Sequence, residues 1–269
     1  MKRNRGIIVT VAAILVVIAA VVAAYLFSGR TIFGRNSPTD SSLSDVKQRG
    51  SLVVGADIPY GVMEFYDGDG QPTGIDIDIA QAIASQLGVS LELKKMPFDQ
   101  LFGAVVSGEV DVVISAVTIT PERQKEMLFS VPYLDAGLSI AVREDNVSIT
   151  SLEDLKDKKV GVLKGTIAED LVTESKHIDS SLIVRYQIND KRIQGLLDGQ
   201  VDAIIVHFLV KKHPSIRIVG EPLSQSYYGI VAKLTAESLM DEINRTLREM
   251  KRNGKITEIK QKYVGSDTQ

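Results

Sequence analysis

Gly108-Glu-Val-Asp-Val-Val-Ile-Ser-Ala-Val-Thr-Ile-Thr-Pro-Glu-Arg123 is the stretch on which the reading of this chain turns. It predicts a turn, a strand, a loop and the start of a helix. Val110, Val112, Val113 and Ile114 make the short β-branched run of a strand covered on both faces of a parallel sheet. Thr120-Pro121-Glu122 carries the signals of a helix start, Thr at the N-cap and Pro at the first helical position. Arg123 then falls in the first turn, where the helix dipole disfavours a cation by a few tenths to about 1 kcal/mol. A guanidinium beside free N–H groups suits the docking of an anion. A solvated surface arginine is the plain alternative.

An echo of this stretch gives the architecture. Ser107-Gly-Glu-Val-Asp-Val-Val-Ile114 is similar to Asp198-Gly-Gln-Val-Asp-Ala-Ile-Ile205. Leu52-Val-Val-Gly and Lys159-Val-Gly-Val likewise each open a run of alternating strands and helices. Two copies of one α/β unit predict two lobes, with a ligand at the cleft outside the carboxyl ends of the strands. Apolar spacing predicts helices over 75–87, 98–107, 191–197, 238–252 and 256–263, with Gly88 as a C-cap. Strands are expected near 52–57, 89–96, 110–114, 137–143, 160–163, 182–186, 199–206, 216–219 and 228–232, and 129–135 reads as irregular. Asp67-Gly-Asp-Gly70 is a hairpin tip; no glutamate completes a calcium loop. Thr166 and Glu169 have the spacing of a capping box.

The 269 residues suffice for two small domains with their own cores. Residues 1–39 hold five basic residues and no acid, and the remainder holds 26 Lys and Arg against 34 Asp and Glu. An acidic body without a basic stripe argues against nucleic acid. Residues 7–27 form an uncharged apolar run, about 30 Å long as a helix, preceded by Lys2, Arg3 and Arg5. That pattern predicts a membrane anchor over 1–28 with the rest of the chain outside; cleavage within the alanine-rich part is the alternative. A Gly/Ser/Thr/Pro-rich tether over 29–44 follows. The chain has no cysteine, so the exported part folds without disulfides and without a lipid-anchoring thiol.

Reacting groups are scarce. Three histidines without a metal-ligand pair predict no metal, and no motif calls for a nucleotide or other cofactor. No general acid and base pair is evident, so no catalytic residue is assigned. Binding groups remain.

Val54-Gly-Ala-Asp-x-x-Tyr60 with Glu64-Phe65, Gly74-Ile-Asp-Ile-Asp-Ile79, Gly108 to Arg123, and Gly161-Val-Leu-Lys-Gly-Thr166, in this order and spacing, resemble the amino-acid-binding proteins of ABC importers, bacterial extracellular solute-binding family 3. The resemblance covers about residues 45–265. It implies a bilobed type II periplasmic-binding-protein fold, with lobe 1 over 45–136 and 226–269 and lobe 2 over 137–225. The two crossings between lobes make a hinge. It also implies that Arg123 pairs with the ligand carboxylate, with N–H groups at Thr118 and in the loop at Thr166 and Ile167 completing the cradle. A bidentate guanidinium suits a planar carboxylate, each charged hydrogen bond contributing about 1.5–3 kcal/mol. Thr166 as a pure helix cap is the bland reading. Tyr60 and Phe98 match the family's aromatic walls, though each alone reads as a core aromatic. Asp57 matches a position that reaches polar or basic ligand side chains, against a plain turn aspartate. Ser115 matches a carbonyl that receives the ligand ammonium.

Two departures stand out. His207 occupies the position of the aspartate that clamps the ammonium, and Val62-Met63 replaces a common Pro-Phe. Either the ligand lacks an α-ammonium, or Asp57 and carbonyls meet that charge, or the local alignment slips. The expected function is binding an amino acid, polar or basic, or a related small carboxylate. The protein would act as a monomer and present its ligand to the permease subunits of an ABC importer. The alternatives are a cyclohexadienyl-dehydratase-like enzyme, with His207 the unusual candidate acid, and a sensory ligand-binding domain.

Overall fold

The computed structural model describes residues 40–207 and 213–264. The apolar run at 7–27, with the expected anchor, and the tether up to residue 39 lie outside the described residues. In chain order the helices are α1 (Ser42–Arg49), α2 (Ile75–Leu87), α3 (Phe98–Ser107), α4 (Pro121–Gln124), α5 (Ile167–Glu174), α6 (Asn189–Leu197), α7 (Glu237–Arg252) and α8 (Lys255–Val264). The strands begin with β1 (Ser51–Ala56), β2 (Phe65–Tyr66), β3 (Pro72–Thr73), β4 (Ser90–Lys95), β5 (Val112–Val113), β6 (Met127–Phe129) and β7 (Leu134–Ala136). They continue with β8 (Leu138–Arg143), β9 (Val160–Leu163), β10 (Ile183–Tyr186), β11 (Ala203–His207), β12 (Ile216–Val219), β13 (Ser226–Tyr228) and β14 (Val231–Lys233).

Two five-stranded sheets result. The first runs β4-β1-β5-β14-β6 and the second β10-β9-β11-β8-β12. In the first, β1 lies parallel to β4 and β5, the arrangement that helical crossovers through α2 and α3 enforce. The second repeats the scheme, with β9 parallel to β10 and β11. Alternate residues of β1 go to opposite faces. Leu52 and Val54 join Ile75, Ile79, Leu239 and Ile243 of α2 and α7, while Val53 joins Leu101 and Val105 of α3. The chain passes from the first sheet to the second after β7 and returns at β13. These two strands pair antiparallel, Leu134 opposite Tyr228 and Ala136 opposite Ser226.

Most local signals hold. Gly88 and Gly108 close α2 and α3 with φ of 75° and 80°, the left-handed region open to glycine. Asp67 Oδ1 accepts the N–H groups of Asp69 and Gln71 at the β2–β3 tip. Four expectations are corrected. The tether ends sooner than residue 44, because α1 starts at Ser42: the Asp40 carboxylate accepts the Ser42 N–H, and Val46 is fully buried in the core. Residues 129–135 are irregular only over 130–133, because Phe129 and Leu134–Asp135 belong to β6 and β7, which gain their ladders from strands distant in sequence. The strand expected over 110–114 pairs only at Val112 and Val113. Helix α6 begins at Asn189, two residues before the expected start.

Candidate functional site

The loop after β5 is shaped from behind by buried acids. Asp76, the second residue of α2, accepts the Ala116 N–H at 2.6 Å and the Tyr133 hydroxyl at 2.8 Å. Ala116 takes φ +46°, an uncommon conformation for a residue with a side chain, and the Asp76 bond holds it there. Glu64, fully buried, accepts the Ser115 hydroxyl, which in turn accepts the Asp57 N–H at 3.0 Å. Burial pushes the Glu64 carboxyl well above its ordinary range, helped by the adjacent Asp76, and burial pushes Asp76 to about 6. The Ser115 hydroxyl is therefore committed to the wall of the site. Asp57 stands beside it, its Oδ2 without a hydrogen-bond partner, and burial raises it to about 6 against the opposing Phe98 N–H, Lys95 and Arg192.

In front of that wall lies Arg123. The α4 start forms as its sequence predicts, with Thr120 Oγ1 accepting the Arg123 N–H and Pro121 in the first turn. Thr118 bridges Tyr228, but the two hydrogen bonds of that bridge belong to Ile119 N–H and Gly229 N–H. Thr118's own N–H and C=O consequently turn away from the ladder. Its carbonyl accepts Arg123 Nη1 at 2.9 Å, and the Gly165 carbonyl accepts Nη2 at 3.0 Å. The guanidinium so links the loop after β5 to the loop after β9, and it lies 4.9 Å from the centroid of the Phe102 ring. Burial lowers its pKa, with the Asp170 charge opposing. Arg123 makes none of the ion pairs found among the described residues.

Thr166 and Ile167 reach the same place from the second sheet. Thr166 is the N-cap residue of α5, yet the capping box does not form. Its hydroxyl turns back to the Leu163 carbonyl at 2.7 Å, and Glu169 accepts the N–H of Gly165, at 2.8 Å, while also pairing with Arg185. The arginine at 185 draws Glu169 aside, which spacing along the helix does not reveal. The first N–H groups of α5 are left without a side-chain cap. Tyr60, Phe98, Thr118, Arg123, Thr166, Ile167 and His207 line one cavity. Asp57 and Ser115 are not in its lining. Phe98 is buried and meets Phe102 edge-on at 5.5 Å, so it is both a core aromatic and a cavity wall.

His207 ends β11 and is buried. Its ring lies 5.0 Å from that of Tyr228 and 6.4 Å from that of Tyr60. Burial, with the charges of Arg192 and Arg123, pushes it down to about 3, so the imidazole is neutral near pH 7. Tyr60 and His207 also line a second cavity, together with Gly61, Met63, Asn189, Arg192 and Tyr228. Arg192 is the residue that sequence reading missed. It sits on α6, 2 % exposed, with Nη1 on the Ile205 carbonyl at 2.8 Å and Nη2 on Asn189 Oδ1 at 2.6 Å. The signal available was the internal repeat, which places it at the step that Leu101 holds in the first copy.

Known proteins resemble the chain over this whole region. It is 32% identical over 254 residues to the L-cystine-binding protein TcyJ of Escherichia coli, covering 92% of this chain and 94% of that one. Among solved structures, the ArgBP of T. maritima, seen as a P235GK mutant, superimposes with a TM-score of 0.78 at 35% identity, covering 82% of this chain and 98% of ArgBP. An ancestral amino acid-binding protein described as a precursor of cyclohexadienyl dehydratase gives a TM-score of 0.76 at 34% identity, covering 83% of this chain and 99% of that one. Residues 52–266 match the family described as bacterial extracellular solute-binding proteins, family 3. On a match of that extent, with the two-sheet fold to go with it, this chain belongs to the bacterial extracellular solute-binding proteins of family 3.

Proposed function

We propose that this protein captures an amino acid or a related small carboxylate between its two sheets and hands it to the permease subunits of an ABC importer. The observation that carries the reading is Arg123. Its guanidinium is half-buried, held by one backbone carbonyl from each sheet's loops, and free of any carboxylate among the described residues. A ligand carboxylate can take its remaining N–H donors, the Thr118 N–H and the uncapped start of α5. Tyr60 and Phe98 flank the ligand, and Asp57 is the acid within reach of a polar side chain.

The two sheets act as lobes, 45–136 with 226–269 and 137–225, and the paired β7 and β13 act as the hinge on which they close. Lys164 of the second unit pairs with Asp99 of the first at 2.9 Å, a contact suited to a closed form. Residues 7–27 anchor the protein outside the membrane, and it works as a monomer. Binding without chemistry is the better reading, because His207, the candidate acid for an enzyme, has no imidazolium proton to give at neutral pH. A thermal-shift screen of amino acids and small carboxylates tests the proposal, since a ligand of the folded state raises the melting temperature. Arg123→Ala is expected to weaken the best ligand by about 100-fold or more, the loss of two charged hydrogen bonds. Unchanged affinity would remove the reading.

A further inference from the structure

We infer that the ligand carries two acid groups, one seated on Arg123 and the second on Arg192 beyond the Tyr60–His207 pair. This rests on the binding reading above and narrows it to a ligand class. The two cavities meet at Tyr60 and His207, which line both, and each holds one arginine. Arg192 is 2 % exposed, the oxygens it meets on Ile205, Asn189 and Tyr60 are neutral, and its Nε has no hydrogen-bond partner. It makes none of the ion pairs found among the described residues. A buried guanidinium without a counter-ion is costly, so its presence calls for an anion that arrives from outside.

The fold itself does not ask for a cation there. Arg192 precedes Gly199 by seven residues, as Leu101 precedes Gly108, and Leu101 is a fully buried member of its core. Neighbouring charges do not fill the role either. Asp99 pairs with Lys164 and Glu169 with Arg185. Glu64 and Asp76 are tied to Ser115, Ala116 and Tyr133, and burial favours the neutral acid at Glu64. Asp57 is the remaining acid: at about 6 it is mostly ionised at neutral pH and acts on Arg192 through space, but it forms no ion pair with it. His207 is neutral. Two arginines thus face the cleft against the one unpaired carboxylate of Asp57. A basic ligand side chain would add a further cation, whereas a ligand with two carboxylates sets one against each guanidinium, whose fork fits a carboxylate edge. The buried Tyr228 hydroxyl, also without a hydrogen-bond partner, is a second donor at the Arg192 end.

Calorimetric titration of the full chain in detergent micelles tests this with L-cystine and glutarate, each bearing two carboxylates, against L-arginine and L-glutamine, each bearing one. At least one diacid is expected to bind about 10-fold more tightly than both monoacids. Arg192→Leu is expected to weaken that diacid by about 10- to 100-fold, while changing the monoacids less than about threefold. Arg192→Lys, which keeps the charge without the fork, recovers part of the loss. If L-arginine or L-glutamine binds as tightly as the better diacid, if neither diacid binds, or if Arg192→Leu leaves the diacid unchanged, the second acid site is wrong. Should Arg192→Leu fail to melt cooperatively, the wild-type ranking and Arg192→Lys decide. Arg123→Ala separates the two claims: it weakens diacids and monoacids alike, by about 100-fold or more, if the carboxylate reading holds, whatever Arg192 does.

Discussion

At Asp111 the backbone N–H donates to the Val53 carbonyl at 2.9 Å, and the Val53 N–H returns to the Asp111 carboxylate at 2.8 Å. At Asp202 the same reciprocal pair joins Lys159, at 2.8 and 2.9 Å. The likeness continues backward, with Gly108 and Gly199 at φ of 80° and 72°. Residues 109 and 110 both donate to Ala104, and residues 200 and 201 both donate to Gly195. The repeated Val-Asp is therefore a scaffold clamp that docks a strand start against its neighbour. What differs is what hangs on the clamp. The first copy has an apolar Leu101 beneath it and delivers Arg123 beyond it; the second has Arg192 beneath it and stops at neutral His207. One backbone solution serves two chemistries, because the clamp is made by main-chain atoms and one carboxylate and leaves the other positions free.

Exchanging the residues beneath the clamp should give the largest effect. Leu101→Arg places a charge in a core that has no ligand to meet it, and is expected to cost about 3–5 kcal/mol in denaturant unfolding. Arg192→Leu, the reverse change, is expected to leave unliganded stability unchanged or higher. Comparable losses from both would mean that Arg192 is structural. The clamps themselves come next: Asp111→Ala should cost about 1–2 kcal/mol and Asp202→Ala about 1 kcal/mol, since Val53 is buried and Lys159 exposed. A larger loss at Asp202 would break the equivalence.

The two copies should also differ in the sign of their pH dependence. Glu64 and Asp76, behind the first, have folded-state pKa values raised above the ordinary range, Asp76 to about 6. Their contribution is present at acid pH and is lost as pH rises, through about 6 for Asp76. His207, at the end of the second, is depressed to about 3. Its contribution is complete above its ordinary value of 6.5 and is lost as pH falls toward 3. In melting curves Glu64→Gln should flatten the decline as pH rises above its ordinary value of 4.5, and His207→Gln the decline as pH falls from 6.5 toward 3. No change in either slope would contradict the assigned protonation. The smallest contrast lies at the helix starts. Thr120→Ala removes a working cap and should cost about 1 kcal/mol, while Thr166→Ala should cost about half as much, because Thr166 does not cap; a reversed order in denaturant unfolding would restore the capping box.

Much of the site was legible because it is local. Arg123 at a Thr-Pro helix start, the aromatics Tyr60 and Phe98, the loop at Thr166 and the odd His207 all come from short patterns, and the structure brings those five to one cavity. Arg192 was not legible from helical periodicity, since a lone basic residue on a helix reads as solvated. Only its counterpart Leu101 marks the step as buried. Ser115 reads for its carbonyl and Asp57 for its carboxylate; what short patterns do not show is that the Ser115 hydroxyl is spent on Glu64 and the Asp57 N–H, a network joining residues about 50 positions apart.

The amino-acid order by itself determined the elements and their repetition. Helical spacing, glycine C-caps, the Thr120-Pro121 start and the doubled Val-Asp act within one turn or one strand, where chain stereochemistry leaves few choices. Tertiary structure decided which polar groups were free to meet a ligand. Hydrogen-bond capacity is finite, and partners far along the chain claim it first: Arg185 takes Glu169, Asp76 takes Ala116, and Leu163 takes Thr166. What stays unclaimed in the described residues, chiefly the carboxylate-free faces of Arg123 and Arg192, is set by the packing of two sheets and not by any single stretch of sequence.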